Sequence, residues 1–205
     1  MSDWRRLGDE EWRRQLAAAG IAPQLEPSLA RYLTLLGRWA SAVGLVGRLD
    51  ADTLVGEHVR ESLAGVELLP ATGGLLDVGS GNGFPAVPLL LARPGLHGIL
   101  LEPRERRWAF LRETVRELGL TAEVRRERLE EHEGAGYAAM TVRALAVAEW
   151  GARAQELLAD GGLVLWWTSG TTAGRAELPG MVPVLHSPLP VPERGVIAVW
   201  RRCFT

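Results

Sequence analysis

The chain has 205 residues, of which 47% are apolar and 23% charged, so it can bury one sizeable core. Its net charge is −2, and its single cysteine, Cys203, excludes an internal disulfide and a metal site built from thiolates. No run of 18 apolar residues predicts a membrane span, and acidic residues among the N-terminal arginines argue against a secretory signal. We therefore expect a cytoplasmic protein.

The first seventy residues are predicted to form helices. Apolar side chains recur every three or four residues between Leu25 and Val43 and again between Leu54 and Val66. Asp50 or Asp52 can cap the second of these helices. The loop 70–74 then separates a helical arm, residues 1–70, from residues 71–205, which we expect to fold as one compact domain.

Beyond this loop, short apolar runs alternate with helical stretches. The alternation is typical of an α/β fold whose mostly parallel sheet has helices on both faces. Because no helix separates the last two predicted strands, we expect an antiparallel pair at one edge of the sheet, and residues 168–180 are predicted to be a loop. The predicted strands lie near 75–78, 98–102, 122–126, 138–142, 162–167, 182–186 and 195–201, and the predicted helices near 85–92, 104–118 and 145–158.

A glycine-rich turn follows the first predicted strand. Residues 77–83 read D-V-G-S-G-N-G, so an acid at the end of an apolar run is followed by Gly79, Gly81 and Gly83. Because glycine has no Cβ and permits positive φ, such a turn can bring bare backbone against a ligand. Glycine-rich turns also occur without ligands, so the turn alone does not identify a site.

A second acid strengthens the interpretation as a cofactor site. Glu102 ends the next apolar run some 20 residues later, about the interval at which a carboxylate binds the ribose in dinucleotide folds. The order acid, glycine turn, strand, acid favours S-adenosylmethionine over NAD, because the sulfonium cofactor has no pyrophosphate to place at a helix start. NAD-dependent oxidation remains an alternative, as does a purely structural pairing of Glu102 with Arg106.

The order of the motifs is similar to that of one protein family. Residues 77–88 read D-V-G-S-G-N-G-F-P-A-V-P, where that family has the pattern D-[IV]-G-[ST]-G-x-G-[FL]-P-G-[IV]-P, and two prolines follow the turn. The acid at 102, R-R-x-x-F-L at 106–111, R-L-E-E at 128–131 and R-A at 143–144 follow in order. On these motifs the chain resembles the bacterial small-subunit ribosomal RNA guanine-N7 methyltransferases, once named glucose-inhibited division protein B.

This resemblance implies a fold, a cofactor and a partner. The fold is a Rossmann-like class I methyltransferase domain with a seven-stranded, mostly parallel sheet, preceded by the N-terminal helical arm. The cofactor is S-adenosyl-L-methionine, and the substrate is 16S ribosomal RNA in the small ribosomal subunit. We expect a monomer that has no membrane partner and no metal.

The resemblance also implies which residues bind the cofactor. Asp77 would order the glycine turn through backbone N–H groups near the methionyl end. Phe84 would pack on the cofactor, Glu102 would accept hydrogen bonds from the ribose hydroxyls, and the loop after the third strand would reach the adenine. The expected cofactor-binding residues are Asp77, Gly79, Gly81, Gly83, Phe84, Glu102, Leu129, Glu130 and Arg143.

Arg143 and Arg128 are the candidate catalytic residues. Arg143 follows the apolar run 138–142, and an arginine at the end of a central strand opens onto the ligand crevice. It would bind the cofactor carboxylate or hold RNA near the transferred methyl group, and Arg128 would serve the second task. Guanine N7 has a lone pair and no proton, so transfer to it requires no general base. His58, on an apolar helix face, is interpreted as a structural residue.

The chain departs from the family pattern at several polar positions. Gly44 and Val46 stand where the family has asparagine and threonine, Val142 replaces a serine, and Ser169 replaces a lysine. A second hypothesis is therefore a ribosome- or RNA-associated protein that binds the cofactor without transferring a methyl group. All 23 basic residues are arginines, and their clusters predict either a local basic surface or simply solvated faces.

Overall fold

The computed structural model describes residues 3–43 and 50–204. The departures at Gly44 and Val46 lie outside these described residues. Within them, no helix combines the length and the apolar character needed to cross a membrane.

The described part of the arm is mainly helical, as predicted. The third helical segment begins at a side-chain cap, where Asp50 Oδ1 accepts a hydrogen bond from the Thr53 N–H at 2.8 Å. Of the two predicted caps, Asp50 is therefore the one used. The helices are α1 (Asp9–Ala18), α2 (Glu26–Val43) and α3, a continuous segment made of Ala51–Thr53, a π-helical turn Leu54–Val59 and Arg60–Leu63.

Seven strands form one sheet. They are β1 (Gly73–Val78), β2 (Leu96–Leu101), β3 (Ala122–Arg125), β4 (Tyr137–Arg143), β5 (Leu158–Thr168), β6 (Met181–Pro188) and β7 (Val196–Arg202). Their order is β3-β2-β1-β4-β5-β7-β6. β1 to β5 run parallel, and β7 is antiparallel to both β5 and β6, which confirms the antiparallel pair expected at the edge.

The connecting helices differ from the predicted ones at two places. A single helix over 145–158 is wrong: Ala144 has φ +59° and a 3₁₀ turn covers Val147–Glu149, so the α-helix begins only at residue 151. The predicted loop 168–180 contains a short helix, whose first turn is capped by the Ser169 hydroxyl. The four helices are α4 (Ala86–Ala92), α5 (Glu105–Leu118), α6 (Gly151–Leu157) and α7 (Gly170–Ala173).

Alternate residues of the central strands face two hydrophobic cores, as the two-residue period of a strand requires. Leu75 packs into a core shared with the arm and with α4 and α5, whereas Leu76 packs into a second core that contains α6. Helices therefore cover both faces of the sheet. The arm buries Trp12 and Leu33 in the first core, so it packs directly on the layer that carries the sheet. The division at residue 70 stays a prediction.

Candidate active site

A cleft of about 550 Å³ lies at the carboxyl ends of β1, β2 and β4. In a parallel sheet this edge, next to the point where the strand order reverses, is where ligands bind. Here the reversal lies between β1 and β4. The lining comes from the glycine turn, the segment 101–104, the loop 127–130, the segment 143–145, and the side chains of His58 and Phe84.

The glycine turn is shaped by three residues with positive φ. Gly79, Gly81 and Gly83 have φ of +69°, +57° and +91°. A Cβ on Gly83 would lie 2.8 Å from Val87 Cγ2, so any side chain there would collide. A Cβ on Gly81 would meet nothing closer than 3.7 Å, because this residue faces the open cleft. The turn therefore offers backbone, rather than side chains, to a ligand.

Glu102 is held rigidly at the end of β2. Its Oε2 accepts a hydrogen bond from the Gly81 N–H at 3.0 Å, and its Oε1 accepts one from the Arg104 N–H at 2.8 Å. The side chain lines the cleft, yet the residue is only 2% exposed. Each carboxylate oxygen keeps a further lone pair, so the group can still accept hydrogen bonds from a diol.

The loop after β3 closes one end of the cleft. Leu129 is buried and lines the cleft, whereas Arg128 and Glu130 are exposed at its rim. From α6, the guanidinium of Arg153 donates hydrogen bonds to the carbonyl oxygens of Leu129 and Glu130, both at 3.3 Å, and of His132 at 2.9 Å. One side chain thus holds three carbonyl groups of a single short 3₁₀ turn.

Asp77 is buried behind the glycine turn and does not line the cleft. Its Oδ1 accepts a hydrogen bond from the Thr141 hydroxyl at 2.6 Å, because these residues are register partners in β1 and β4. Its Oδ2 has no hydrogen-bond partner among the described residues. Burial raises the pKa of Asp77 to about 6, the neighbouring hydroxyls of Ser80 and Thr141 oppose the rise, and the Glu102 charge adds to it.

Arg143 reaches the cleft from the end of β4 and forms a buried ion pair. One guanidinium nitrogen, Nη2, donates to Oε2 of Glu61 in α3, while the other, Nη1, is buried without a partner among the described residues. Glu61 is 1% exposed and its Oε1 accepts a second charged hydrogen bond from Arg194. Burial lowers the pKa of Arg143, and the Glu61 carboxylate opposes this, so the guanidinium keeps its charge.

His58 and Phe84 form the wall of the cleft beside Arg143. Their rings are stacked, with centroids 5.3 Å apart and an angle of 30° between the planes. Tyr32 packs edge-on against Phe84, and its hydroxyl donates to the Asn82 carbonyl oxygen. Burial, together with the charges of Arg143 and Arg194, lowers the pKa of His58 to about 4, so the imidazole is neutral at pH 7.

The structure brings most of the expected site residues together. Gly79, Gly81, Phe84, Glu102, Arg128, Leu129, Glu130 and Arg143 all line one cleft, whereas Asp77 and Gly83 support it from behind. Because β2 and β1 lie between β3 and β4, Arg128, which follows β3, and Arg143, which ends β4, stand at opposite ends of the cleft. A role for Arg128 beside the transferred methyl group stays a prediction.

Two residues of α3 belong to the site although the sequence did not assign them to it. His58 lines the cleft, and Glu61 binds Arg143. Residues three apart share a helix face, so the H-x-x-E spacing was the available signal. What the pattern could not indicate was that this face meets the cleft rather than only the core.

The cleft is suited to the expected S-adenosylmethionine. Glu102 and the open backbone at Gly81 fit a ribose, and the loop at Leu129 offers an apolar wall for the adenine. Two buried polar atoms have no hydrogen-bond partner among the described residues: Asp77 Oδ2 and Arg143 Nη1. The carboxylate oxygen would suit an ammonium group, and the guanidinium nitrogen would suit a carboxylate. Both side chains act electrostatically on the Tyr32 hydroxyl, so they lie in one region of the site. An amino-acid end of a ligand would satisfy both.

Residues 25–173 match the GidB family model, described as rRNA small subunit methyltransferase G. The chain belongs to this family. A GidB relative from Stenotrophomonas maltophilia, strain K279a, is named ribosomal RNA small subunit methyltransferase G and is 41% identical over 63% of this chain and 62% of its own length. One of the same name from Mycolicibacterium paratuberculosis is 44% identical over 56% of this chain and 46% of its own length.

The match to these curated GidB relatives spans only about half to three-fifths of their length. Among solved structures, an RNA methyltransferase from Salinibacter ruber, in complex with S-adenosyl-L-homocysteine, superposes with a TM-score of 0.54 and 21% identity. The superposition covers 72% of this chain and 91% of that one. This likeness confirms the Rossmann-like α/β fold.

Proposed function

We propose that this GidB-family chain is an S-adenosylmethionine-dependent methyltransferase that modifies N7 of a guanosine in small-subunit ribosomal RNA. The observation that carries the proposal is the cleft itself, which is lined by Glu102, the glycine turn and Arg143, with the unpartnered carboxylate oxygen of Asp77 buried behind the turn. The family match supports the class of substrate.

Different residues in and behind the cleft bind different parts of the cofactor. Glu102 accepts from the ribose hydroxyls, and the Leu129–Glu130 backbone faces the adenine. Asp77 and Arg143 hold the ammonium and the carboxylate of the methionyl end, since each then exchanges an unsatisfied buried atom for a charged hydrogen bond. Phe84 packs beside this end and helps to exclude water.

The proposed reaction requires orientation more than acid–base catalysis. The bound cofactor supplies the methyl group. The N7 lone pair bonds to the methyl carbon as the electron pair of the carbon–sulfur bond passes to sulfur, so no proton is transferred. The base becomes cationic, and holding the two reactants in line accounts for roughly 7–11 kcal/mol of the barrier.

The mouth of the cleft suits a polyanion. Arg104, Arg107 and Arg128 line it, and the first and last of these are exposed. Guanidinium groups are well matched to RNA phosphates, so we assign this rim to backbone contacts with 16S ribosomal RNA. A monomeric protein acting on small subunits in the cytoplasm is the corresponding expectation for its partner and location.

The test is a methylation assay on small ribosomal subunits from cells that lack this protein. With labelled S-adenosylmethionine, we expect one methyl group per subunit, located at guanine N7 by mass spectrometry of the digested RNA. Binding of S-adenosylhomocysteine without any product would instead support the RNA-associated protein that has lost transfer. Calorimetry that detects NAD but not S-adenosylhomocysteine would overturn the cofactor assignment.

A substitution at Arg143 tests the placement of the site. Arg143→Ala should retain the fold, because Glu61 keeps its hydrogen bond from Arg194. Transfer should fall by about 10- to 100-fold, the cost of a lost charged hydrogen bond. Arg201→Ala, a change at an exposed arginine of β7, is the matched control. A normal rate for Arg143→Ala would show that the site has been placed wrongly.

A further inference from the structure

His58 is the side chain of the cleft that the cofactor assignment leaves unused. It extends from α3, lines the cleft, and stacks on Phe84 at 5.3 Å. No hydrogen bond links its ring nitrogens to another described residue. The half-buried imidazole of a cleft-lining residue can donate one hydrogen bond and accept another, and no side-chain hydrogen bond of His58 occurs within the described chain.

The strand order determines which end of the ligand His58 faces. Glu102 follows β2, and Leu129 follows β3, both on one side of β1, whereas Arg143 ends β4 on the other side. With the ribose at Glu102, the adenosine occupies the β2–β3 side, and the sulfonium must point toward β4. His58 lies at that end, because the Arg143 charge acts on its ring.

The chemistry of the acceptor suits an uncharged imidazole. Methylation places a positive charge on the five-membered ring of guanine, and a protonated histidine nearby would oppose it. Burial and the flanking guanidinium groups of Arg143 and Arg194 keep the His58 ring neutral. A neutral ring has one donor nitrogen and one acceptor nitrogen, so it can donate to O6 of the guanine or accept from an N–H group of the base.

We propose that His58, backed by the ring of Phe84, contacts the guanine that receives the methyl group and holds it in line with the sulfonium. This inference rests on the proposed function, because it concerns the substrate side of the same cleft. It makes α3 of the arm part of the substrate site and not only a cover for the sheet.

The experiment compares His58→Ala and His58→Gln with the unmodified protein. Single-turnover methylation of small subunits is measured at saturating S-adenosylmethionine, and the affinity for S-adenosylhomocysteine is measured by calorimetry. We expect His58→Ala to slow transfer at least about tenfold, the loss of one hydrogen bond and a stacking surface, and to leave cofactor affinity unchanged. Glutamine, which keeps a neutral donor and acceptor, should restore part of the rate. His97→Ala, on the exposed start of β2, is the matched control.

Each other outcome overturns the inference. A normal rate in His58→Ala would show that the ring does not contact the base. Equal losses of rate and of cofactor affinity would assign His58 to the cofactor or to the fold. A glutamine variant no better than alanine would show that hydrogen bonding is not its contribution. An unmodified protein that binds S-adenosylhomocysteine but methylates no subunit would instead overturn the proposed function, and the His58 assignment with it.

Discussion

At neutral pH the buried carboxylate of Asp77 lowers the stability of the ligand-free protein. Burial raises the pKa of Asp77 to about 6. Above that pH the carboxyl group is ionised, although only one of its two oxygens accepts a hydrogen bond from a described residue. A folded-state pKa above the ordinary 3.8 means that the ionised form costs free energy in the folded state at neutral pH. The proposed role of Asp77 in binding the ammonium group of the ligand would account for a carboxylate that does not stabilise the fold.

Asp77→Asn should make this cost visible. The amide keeps an acceptor for the Thr141 hydroxyl but carries no charge, so the free energy of unfolding at pH 7.5 should rise by about 1–3 kcal/mol. Affinity for S-adenosylhomocysteine should fall about tenfold or more, because the ammonium loses its counter-charge. Urea denaturation and calorimetry measure the two effects, with Asp160→Asn at an exposed position as the control. A variant less stable than the parent would contradict this account.

At the scale of elements, α6 positions the loop between β3 and β4. Arg153 donates hydrogen bonds to three carbonyl oxygens of residues 129–132, so the loop to which we assign the adenine is held from behind by a helix. Rigid support of this kind lowers the entropic cost of binding, because the loop is ordered before the ligand arrives.

Arg153→Met should loosen this loop without unfolding the domain. We expect affinity for S-adenosylhomocysteine to fall about three- to tenfold, and the rate at saturating cofactor to stay near normal. Arg116→Met is a matched control, because Arg116 is an exposed arginine of α5 whose ion pairs within residues 3–43 and 50–204 are with its helix neighbours Glu113 and Glu117. A fall in rate at saturating cofactor would show that Arg153 acts on the reacting groups instead.

At the scale of the whole molecule, two buried groups give opposite pH dependences of stability. The unfolded chain protonates His58 near pH 6.5, but the folded chain does so only near 4, so stability falls as the pH drops through this window. Asp77 has the reverse order: the folded chain takes up its proton near pH 6 and the unfolded chain near 3.8, so stability rises as the pH drops. Each limiting contribution is up to about 3 kcal/mol.

Single variants should therefore separate the two pH dependences of stability, which oppose each other in the unmodified protein. Between pH 7 and 5, stability should rise on acidification in His58→Gln, which retains only the Asp77 contribution of this pair, and should fall in Asp77→Asn. Urea unfolding at intervals across this range measures both slopes relative to the parent. Identical slopes in both variants would mean that neither group titrates as its burial indicates.

The sequence predicted local features well and long-range partners poorly. The glycine turn, Glu102 and Arg143 follow from strand ends, which a two-residue pattern makes visible. Glu61 was not found as the partner of Arg143, because 82 residues separate them and only the packing of α3 joins them. The predicted helix 145–158 starts too early, because Ala144 takes a left-handed conformation that its residue type does not signal.

The ion pairs of Glu61 join parts of the chain that lie far apart in the sequence. Arg194 follows Glu61 by 133 positions, yet it donates a hydrogen bond to the same carboxylate that orients Arg143. Without the turn 192–194, Glu61 would keep only Arg143 as a guanidinium partner among the described residues. The contact between α3 and the end of β4 therefore depends on a part of the chain close to its C-terminal strand.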